Sequence, residues 1–257
     1  MRRGFGIDAD VSPDVAGELA EHVEALGYGS FWVNGSPAAG ALDILEAAAT
    51  HSSLDIGVGV LPLTSISVDE TVSEIRARSL PEDRLWLGVG SNRKPGALTE
   101  VREACETIRS ELDCNIVSGA VGPKMTQLAA EVADCVLFTW WPRNEVARSR
   151  QVVAEAAADA GRKVPVIASY VRTALLPDAR ESLEAKASRY AMIPRYAKVF
   201  ERNGISAEES VVTGRNREEL IDRIANEEVV IDLPVIRAIT KDDTLDSLVE
   251  LAEATRP

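Results

Sequence analysis

Along its 257 residues the chain repeats one unit almost without interruption: a short β-branched or apolar run, then a longer amphipathic one. FGID at 5–8 reads as a strand, and PDVAGELAEHVEALG then shows helical spacing behind Ser12, a good N-cap, and ahead of Gly27, a good C-terminal stop. The pattern recurs as SFWVN then ALDILEAAATH, LDIGVGVL then VDETVSEIRARSL, and RLWLGVGS then LTEVREACETIRSEL. It continues with CNIVSGA then PKMTQLAAEVA, CVLFTWW then RNEVARSRQVVAEAAADAG, and PVIASYVRTALL then ARESLEAKASRYA. After an extra segment at about 190–213, a helix from about 215 leads to VVIDLPVIRA and a last helix, TLDSLVELAEA.

Continuous apolar strands separated by single helices imply an α/β architecture whose parallel sheet is buried on both faces. Eight such units in a chain of this length fit a closed (β/α)8 TIM barrel. A doubly wound open sheet is the competitor; against it, the first strand–helix turn, GIDADVSPD, lacks the G-x-G-x-x-G fingerprint of dinucleotide folds. No stretch has linker composition, so residues 1–257 are expected to form a single domain with a short excursion at about 190–213 between strands 7 and 8.

Acidic residues outnumber basic ones by 41 to 28, with six Lys against twenty-two Arg, which makes nucleic acid an unfavourable partner. Such a surface serves solubility or reflects a salt-adapted organism, and Arg over Lys also follows from a GC-rich genome. Cys105, Cys114 and Cys135 share no metal-like spacing and look like reduced, small core residues, so no metal site is expected. The N-terminus has no apolar leader, and no run approaches the ~18 apolar residues of a membrane span. A cytoplasmic protein without membrane partners is expected.

In a barrel the chemistry sits where strands run into helices. Strand 1 ends in Asp8, strand 2 in Asn34-Gly35, strand 3 in Gly59-Val60-Leu61, and strand 4 in Gly88-Val89-Gly90-Ser91-Asn92. Strand 5 ends in Ser118-Gly119-Ala120-Val121-Gly122, strand 6 in Thr139-Trp140-Trp141, and strand 7 in Ser169-Tyr170 with Arg172 close behind. Glycine weakens a strand unless something must approach the backbone, and three adjacent strand ends stripped of bulk point to a flat ligand rather than to the taper of a barrel. Gly119 to Gly122 would offer backbone N–H groups beside the positive end of the helix opened by Pro123, an anion cradle suited to a cofactor phosphate. Lys124 either adds a charge there or is simply solvated.

These residues resemble the luciferase-like flavin and deazaflavin oxidoreductases, and within them the deazaflavin-dependent methylenetetrahydromethanopterin reductases. The similarity runs in order along nearly the whole chain: FGID, ALGYGSFWV, IGVGVLP, RLWLGVGSN, SGAVGPKMTQLAAEVADCVL and RYAKVFERNGI. It implies a barrel binding coenzyme F420, or alternatively FMN, at its C-terminal mouth, and an oxidoreductase or monooxygenase activity on a small-molecule substrate. Carried over by position, Gly59, Val60 and Leu61 would back the ring, with Asn34 nearest it from strand 2. Gly88, Gly90, Ser91 and Asn92 would line its side or the ribityl chain, and Gly119, Ala120, Val121 and Gly122 would take the tail and phosphate. Relatives of this kind often dimerise, so a homodimer is compatible.

Strand 2 departs from the family, ending in Asn34-Gly35-Ser36-Pro37 where a polar pair such as Asp-His is common, and the insertions that cap the mouth look short. His22 and His51 fall within or at the end of helices and read as structural or surface residues. Asp8 is the catalytic candidate: it either supplies or stabilises a proton, with its pKa raised by burial, or hydrogen-bonds the Asp10–Ser12 turn. Trp140 and Tyr170 either pack on substrate or belong to core and rim. The favoured expectation is hydride transfer between coenzyme F420 and a small organic or pterin-like substrate, with a flavin-dependent monooxygenase and a non-catalytic ligand-binding barrel as alternatives. A sugar-phosphate isomerase or aldolase ranks last, since no strand ends in Lys.

Overall fold

The structure, a computed structural model, describes residues 3–91 and 95–257. Its first six strands, β1 (Gly4–Ile7), β2 (Ser30–Val33), β3 (Asp55–Pro62), β4 (Leu85–Gly90), β5 (Asn115–Gly119) and β6 (Cys135–Thr139), alternate with α1 (Pro13–Ala25), α2 (Ala38–His51), α3 (Val68–Ala77), α4 (Ala97–Glu111) and α5 (Pro123–Val132). Then follow α6 (Arg143–Asp159), β7 (Val166–Leu175), α7 (Arg180–Ala191), α8 (Pro194–Asn203), β8 (Val212–Gly214), α9 (Arg217–Glu228), β9 (Leu233–Ile239) and α10 (Leu245–Ala254). Strands β1 to β7 and β9 pair in parallel and close on themselves through β6–β7 and β1–β9, giving the expected (β/α)8 barrel.

Two details differ from the sequence expectation. The residues 229–232 form the turn before β9 rather than its start, because α9 runs on to Glu228. A ninth strand lies inside the excursion: β7 overhangs the rim, and its last residues, Thr173 to Leu175, pair with Val212 to Gly214 of β8.

Helix starts follow local chemistry. Ser12, Ser67, Asn216 and Thr244 each accept from a backbone N–H in the first turn of α1, α3, α9 and α10, satisfying donors that a helix leaves orphaned. At the opposite ends of the strands, Asp134 accepts from Ile116 N at 3.0 Å and Asp232 from Ile167 N at 3.0 Å. The conspicuous Asp after α5 is thus a staple between neighbouring strands on the stability face of the barrel.

Strand residues alternate between the barrel interior and the helix layer, as the two-residue period requires. Outward residues such as Phe5, Phe31, Ile56 and Leu87 join the large core against the helices, while Trp32, Val117, Leu137, Tyr170 and Val235 fill the interior. Trp32 explains two of the strand glycines: a Cβ at Gly57 would lie 2.6 Å from Trp32 Cδ2, and one at Gly4 3.0 Å from Trp32 Cδ1. A third cluster, built on Trp140, Ala187, Tyr196, Phe200 and Val211, fastens α7, α8 and the approach to β8 to the rim. Among the described residues no helix is long and apolar enough to cross a membrane.

Candidate active site

At the C-terminal ends of the strands lies a cavity of about 360 Å³. Its floor is the β3 bulge, where the register with β4 shifts between Val58 and Leu61 and the Gly59–Val60 peptide is cis. Val60 projects into the cavity, half-buried. The walls come from Asn34, Ser91, Gly119 to Val121, Thr139, Tyr170 and Arg172, and the excursion contributes Tyr190, Arg195 and Tyr196.

The bare strand ends have an origin different from the one expected. A Cβ at Gly90 would lie 2.7 Å from Val60 Cγ2 and one at Gly119 3.1 Å from Val60 Cγ1, while one at Gly88 would run into the Val58 carbonyl and one at Gly35 into the Val60 carbonyl. The glycines of β4 and β5 therefore clear space for the bulge and its valine, so a ligand would meet Val60 rather than naked main chain. At Gly59 a side chain would run into Leu137 and the Tyr170 hydroxyl.

Of the expected cofactor residues, Asn34, Gly59, Val60, Gly90, Ser91, Gly119, Ala120 and Val121 line the cavity. Leu61 does not, being wholly buried in the helix-side core, and Gly88 is covered by the bulge. Asn92 lies outside the described residues. Gly122 caps α5 with φ +97° just beyond the wall, in a conformation that favours glycine. The N–H cradle is smaller than expected, because Ala120 N donates to Leu137 O at 3.0 Å, and Lys124 is exposed.

The polar walls are mostly engaged. Asn34 Oδ1 accepts from Ala9 N at 3.0 Å and from Arg237 Nη2 at 3.1 Å, and its amide donates to Ser36 O at 2.9 Å, so this side chain ties the ends of β1 and β2 together. Ser91 Oγ donates to Glu100 at 2.8 Å, Tyr170 OH to Val33 O at 3.1 Å, and Arg172 Nη1 to Thr139 Oγ1 at 2.7 Å. Burial pushes the Tyr170 phenol well above its usual range. Burial also works to raise Tyr190, but the guanidinium groups of Arg172, Arg237 and Arg189 outweigh it and loosen this proton.

Asp8 requires a correction. It stands beside the cavity, outside its lining, and its carboxylate is held by Arg237 on one oxygen and by Lys186 Nζ at 2.5 Å on the other. Burial favours the neutral acid, yet Arg237 and then Lys186 prevail and hold the pKa far below the ordinary carboxylate range. Asp8 is a locked anion and not the raised-pKa proton donor; the turn after β1 does reach it, with Val11 N donating to the Asp8 carbonyl at 3.4 Å, while the carboxylate is engaged elsewhere.

Sequence reasoning missed Arg237, Lys186, Tyr190, Arg195 and Tyr196, and gave Arg172 no role. Arg172 and Arg237 did carry a signal: each is a charge at an inward position of an otherwise apolar strand. The excursion residues carried none, since nothing in its composition says which way it folds. His22 is exposed on α1, and His51 pairs with Glu21 at 2.9 Å, both away from the cavity.

Solved structures share this fold end to end. The coenzyme F420 dependent tetrahydromethanopterin reductase from Methanopyrus kandleri superposes with a TM-score of 0.78 at 18% identity, covering 99% of each chain. An F420-dependent secondary alcohol dehydrogenase, in complex with an F420-acetone adduct, gives 0.76 at 16% identity over 100% of both chains. The FMN-bound oxygenating constituent of 3,6-diketocamphane monooxygenase from Pseudomonas putida, a type II Baeyer-Villiger monooxygenase, gives 0.69 at 13% identity, over 100% of this chain and 99% of that one. No curated protein sequence matches the chain. Residues 96–230, from the last residue before α4 through α9, match the family described as luciferase-like monooxygenase. With the closed barrel, the bulged third strand and a match over more than half its length, the chain belongs to the luciferase-like monooxygenase family.

Proposed function

We propose that the protein is an F420-dependent oxidoreductase that moves a hydride between the coenzyme and a small organic or pterin-like substrate. The observation that carries this reading is the mouth cavity itself: an apolar floor at Val60, aromatic and amide walls, and, among the described residues, no Lys, Asp or Glu in its lining. Isomerases and aldolases work through such groups. A site without them suits a reaction in which a coenzyme brings the electrons and the protein positions the partners.

The residues fit such a group. A volume of about 360 Å³ is at the small end of ligand pockets, which run from roughly 300 to 1,000 Å³, enough for a fused ring and a compact substrate with the tail outside. Val60 would support the ring face, and Asn34 and Ser91 would meet its edges. Val121 and Gly122 precede α5, whose positive end favours a phosphate, and Arg195 borders the same cavity with its Nε buried and without an acceptor. When bound, reduced deazaflavin supplies the hydride. Tyr190 and Tyr196, brought over the mouth by the excursion, would exclude water, and Tyr190 would hold a proton at its loosened hydroxyl.

An FMN-dependent monooxygenase is the second reading, favoured by the family match and by the FMN-bound structural relative. Titration calorimetry of the purified chain with coenzyme F420 and with FMN tests the choice. Binding of coenzyme F420 at least about tenfold tighter than FMN is expected. The reverse order would move the assignment to FMN, and binding of neither would leave a ligand-binding barrel without redox chemistry.

A further inference from the structure

Arg172 projects inward from β7 and is only 9% exposed. Its guanidinium lies 4.3 Å from the ring centre of Trp140 and 5.1 Å from that of Tyr190. Among the described residues it forms no ion pair with a carboxylate, and Thr139 Oγ1 is its one hydrogen-bond acceptor. The other arginines buried near the strand ends are matched: Arg237 by Asp8 and Arg3 by Glu228. Burial brings the Arg172 pKa down only to about 10, with Tyr190 opposing the fall, so the group is a cation at neutral pH. A buried charge without a counter-charge is costly, and aromatic faces offset only part of that cost.

Asp8 attracts Arg172 only from beyond ion-pair distance, and among the described residues no carboxylate pairs with it. Asp8 is occupied by Lys186 and Arg237. Among the described residues the cavity lining holds a second arginine, Arg195, and no acid, in a chain whose acidic residues outnumber basic ones by 41 to 28. Position adds a direction. Around the closed ring of eight strands, β7 stands opposite β3, so Arg172 faces the Val60 floor across the cavity. A substrate lying on a ring seated at Val60 would turn its far side toward that guanidinium.

We propose that Arg172 anchors a substrate carrying a carboxylate, held by the N–H groups of the planar fork that Thr139 leaves free. A guanidinium matches a carboxylate in two-point geometry, and an ester of the same shape loses both charge and fork. This inference rests on the coenzyme reading for the ring at Val60, and its test separates the two.

The full chain, with and without oxidised coenzyme F420, is titrated calorimetrically with acetate, benzoate and 2-naphthoate and with their methyl esters. At least one acid binds about tenfold or more tightly than its ester. Arg172→Met abolishes that preference while changing coenzyme affinity less than about threefold, and Arg172→Lys, which keeps the charge but loses the fork, retains part of it. The proposal is overturned if no acid is preferred by the unaltered chain, or if the preference survives in Arg172→Met. Loss of coenzyme affinity with the acid preference intact would assign the guanidinium to the coenzyme, and overturns it too. Should Arg172→Met not fold, the acid–ester comparison in the unaltered chain and Arg172→Lys decide. Acid preference in the unloaded chain, together with failure to bind coenzyme F420, would overturn the coenzyme reading and leave this one standing.

Discussion

Lys186 Nζ lies 2.5 Å from Asp8 Oδ2, joining the helix that leads into the excursion to the end of the first strand. Arg237 takes the other oxygen and is only 5% exposed. Replacing Asp8 by Asn would leave that guanidinium buried without its counter-charge, and we expect a loss of about 2–4 kcal/mol in urea denaturation at neutral pH. The pH dependence has a definite sign. The Asp8 pKa is lowered by folding, so its contribution is fully present above the unfolded value of about 3.9 and is lost as pH falls through the folded value. The stability gap between the native chain and Asp8→Asn is therefore flat from pH 7 to about 5 and narrows below about 4. A gap that widened on acidification would contradict the locked-anion assignment.

Val60 and its glycine neighbours behave as one packed unit. Gly119→Ala puts a Cβ 3.1 Å from Val60 Cγ1, a conflict that a small shift relieves, so a cost near 1 kcal/mol is expected. Gly88→Ala meets the Val58 carbonyl, which cannot yield, and is expected to cost about 3 kcal/mol or more. Adding Val60→Ala should rescue most of the Gly119→Ala loss and little of the Gly88→Ala loss. Thermal melts of the five variants, Val60→Ala alone included, measure this, and strict additivity at position 119 would show that the glycine serves something other than the valine.

The barrel was legible because strand and helix periods alternate at nearly every unit, with N-caps such as Ser12 and Ser67 and stops such as Gly27 and Gly204 marking some of the boundaries. The mouth was legible in location, since Gly59, Gly90 and Gly119 mark strand ends from composition alone. Their purpose was not, because it depends on Val60 crossing from β3 toward β4 and β5, a contact between strands that no local pattern encodes. The same holds for Asp8, whose partners Lys186 and Arg237 lie far along the chain and approach it only when β9 closes the ring. Tyr190 and Arg195 belong to an amphipathic segment that could have packed anywhere on the rim.

The three thiols should be inert in the native protein. All are free, and burial pushes Cys105 and Cys114 up to about 12, with Cys135 higher still, so almost no thiolate exists near pH 8. A disulfide-exchange colour reagent is expected to react slowly with the folded chain and rapidly with all three thiols in denaturant. Fast reaction of any one without denaturant would indicate that its element opens locally.

Glu145 is expected to control whether the C-terminal end of α8 stays in place. It is buried on α6 and accepts from Arg202 Nη2 at 2.7 Å and Asn203 Nδ2 at 3.2 Å, at the end of the α8 helix that supplies Arg195 and Tyr196. Arg148 also reaches it at 2.7 Å but is largely exposed and adds little. Glu145→Ala removes the acceptor that both α8 groups share, while α8 keeps its apolar contacts through Tyr196, Val199 and Phe200. The barrel should thus remain folded, with a loss of about 2 kcal/mol, as α8 frays from its Asn203 end. Trypsin should cut after Lys198 or Arg202 about tenfold faster than in the native chain, since cleavage of a locally opened segment follows its open population. Ligand affinity at the mouth should fall by less than about threefold, because Arg195 and Tyr196 lie at the opposite end of α8 and keep their place in the wall. Unchanged cleavage with weakened binding would place Glu145 in ligand contact instead, contrary to its distance from the cavity lining.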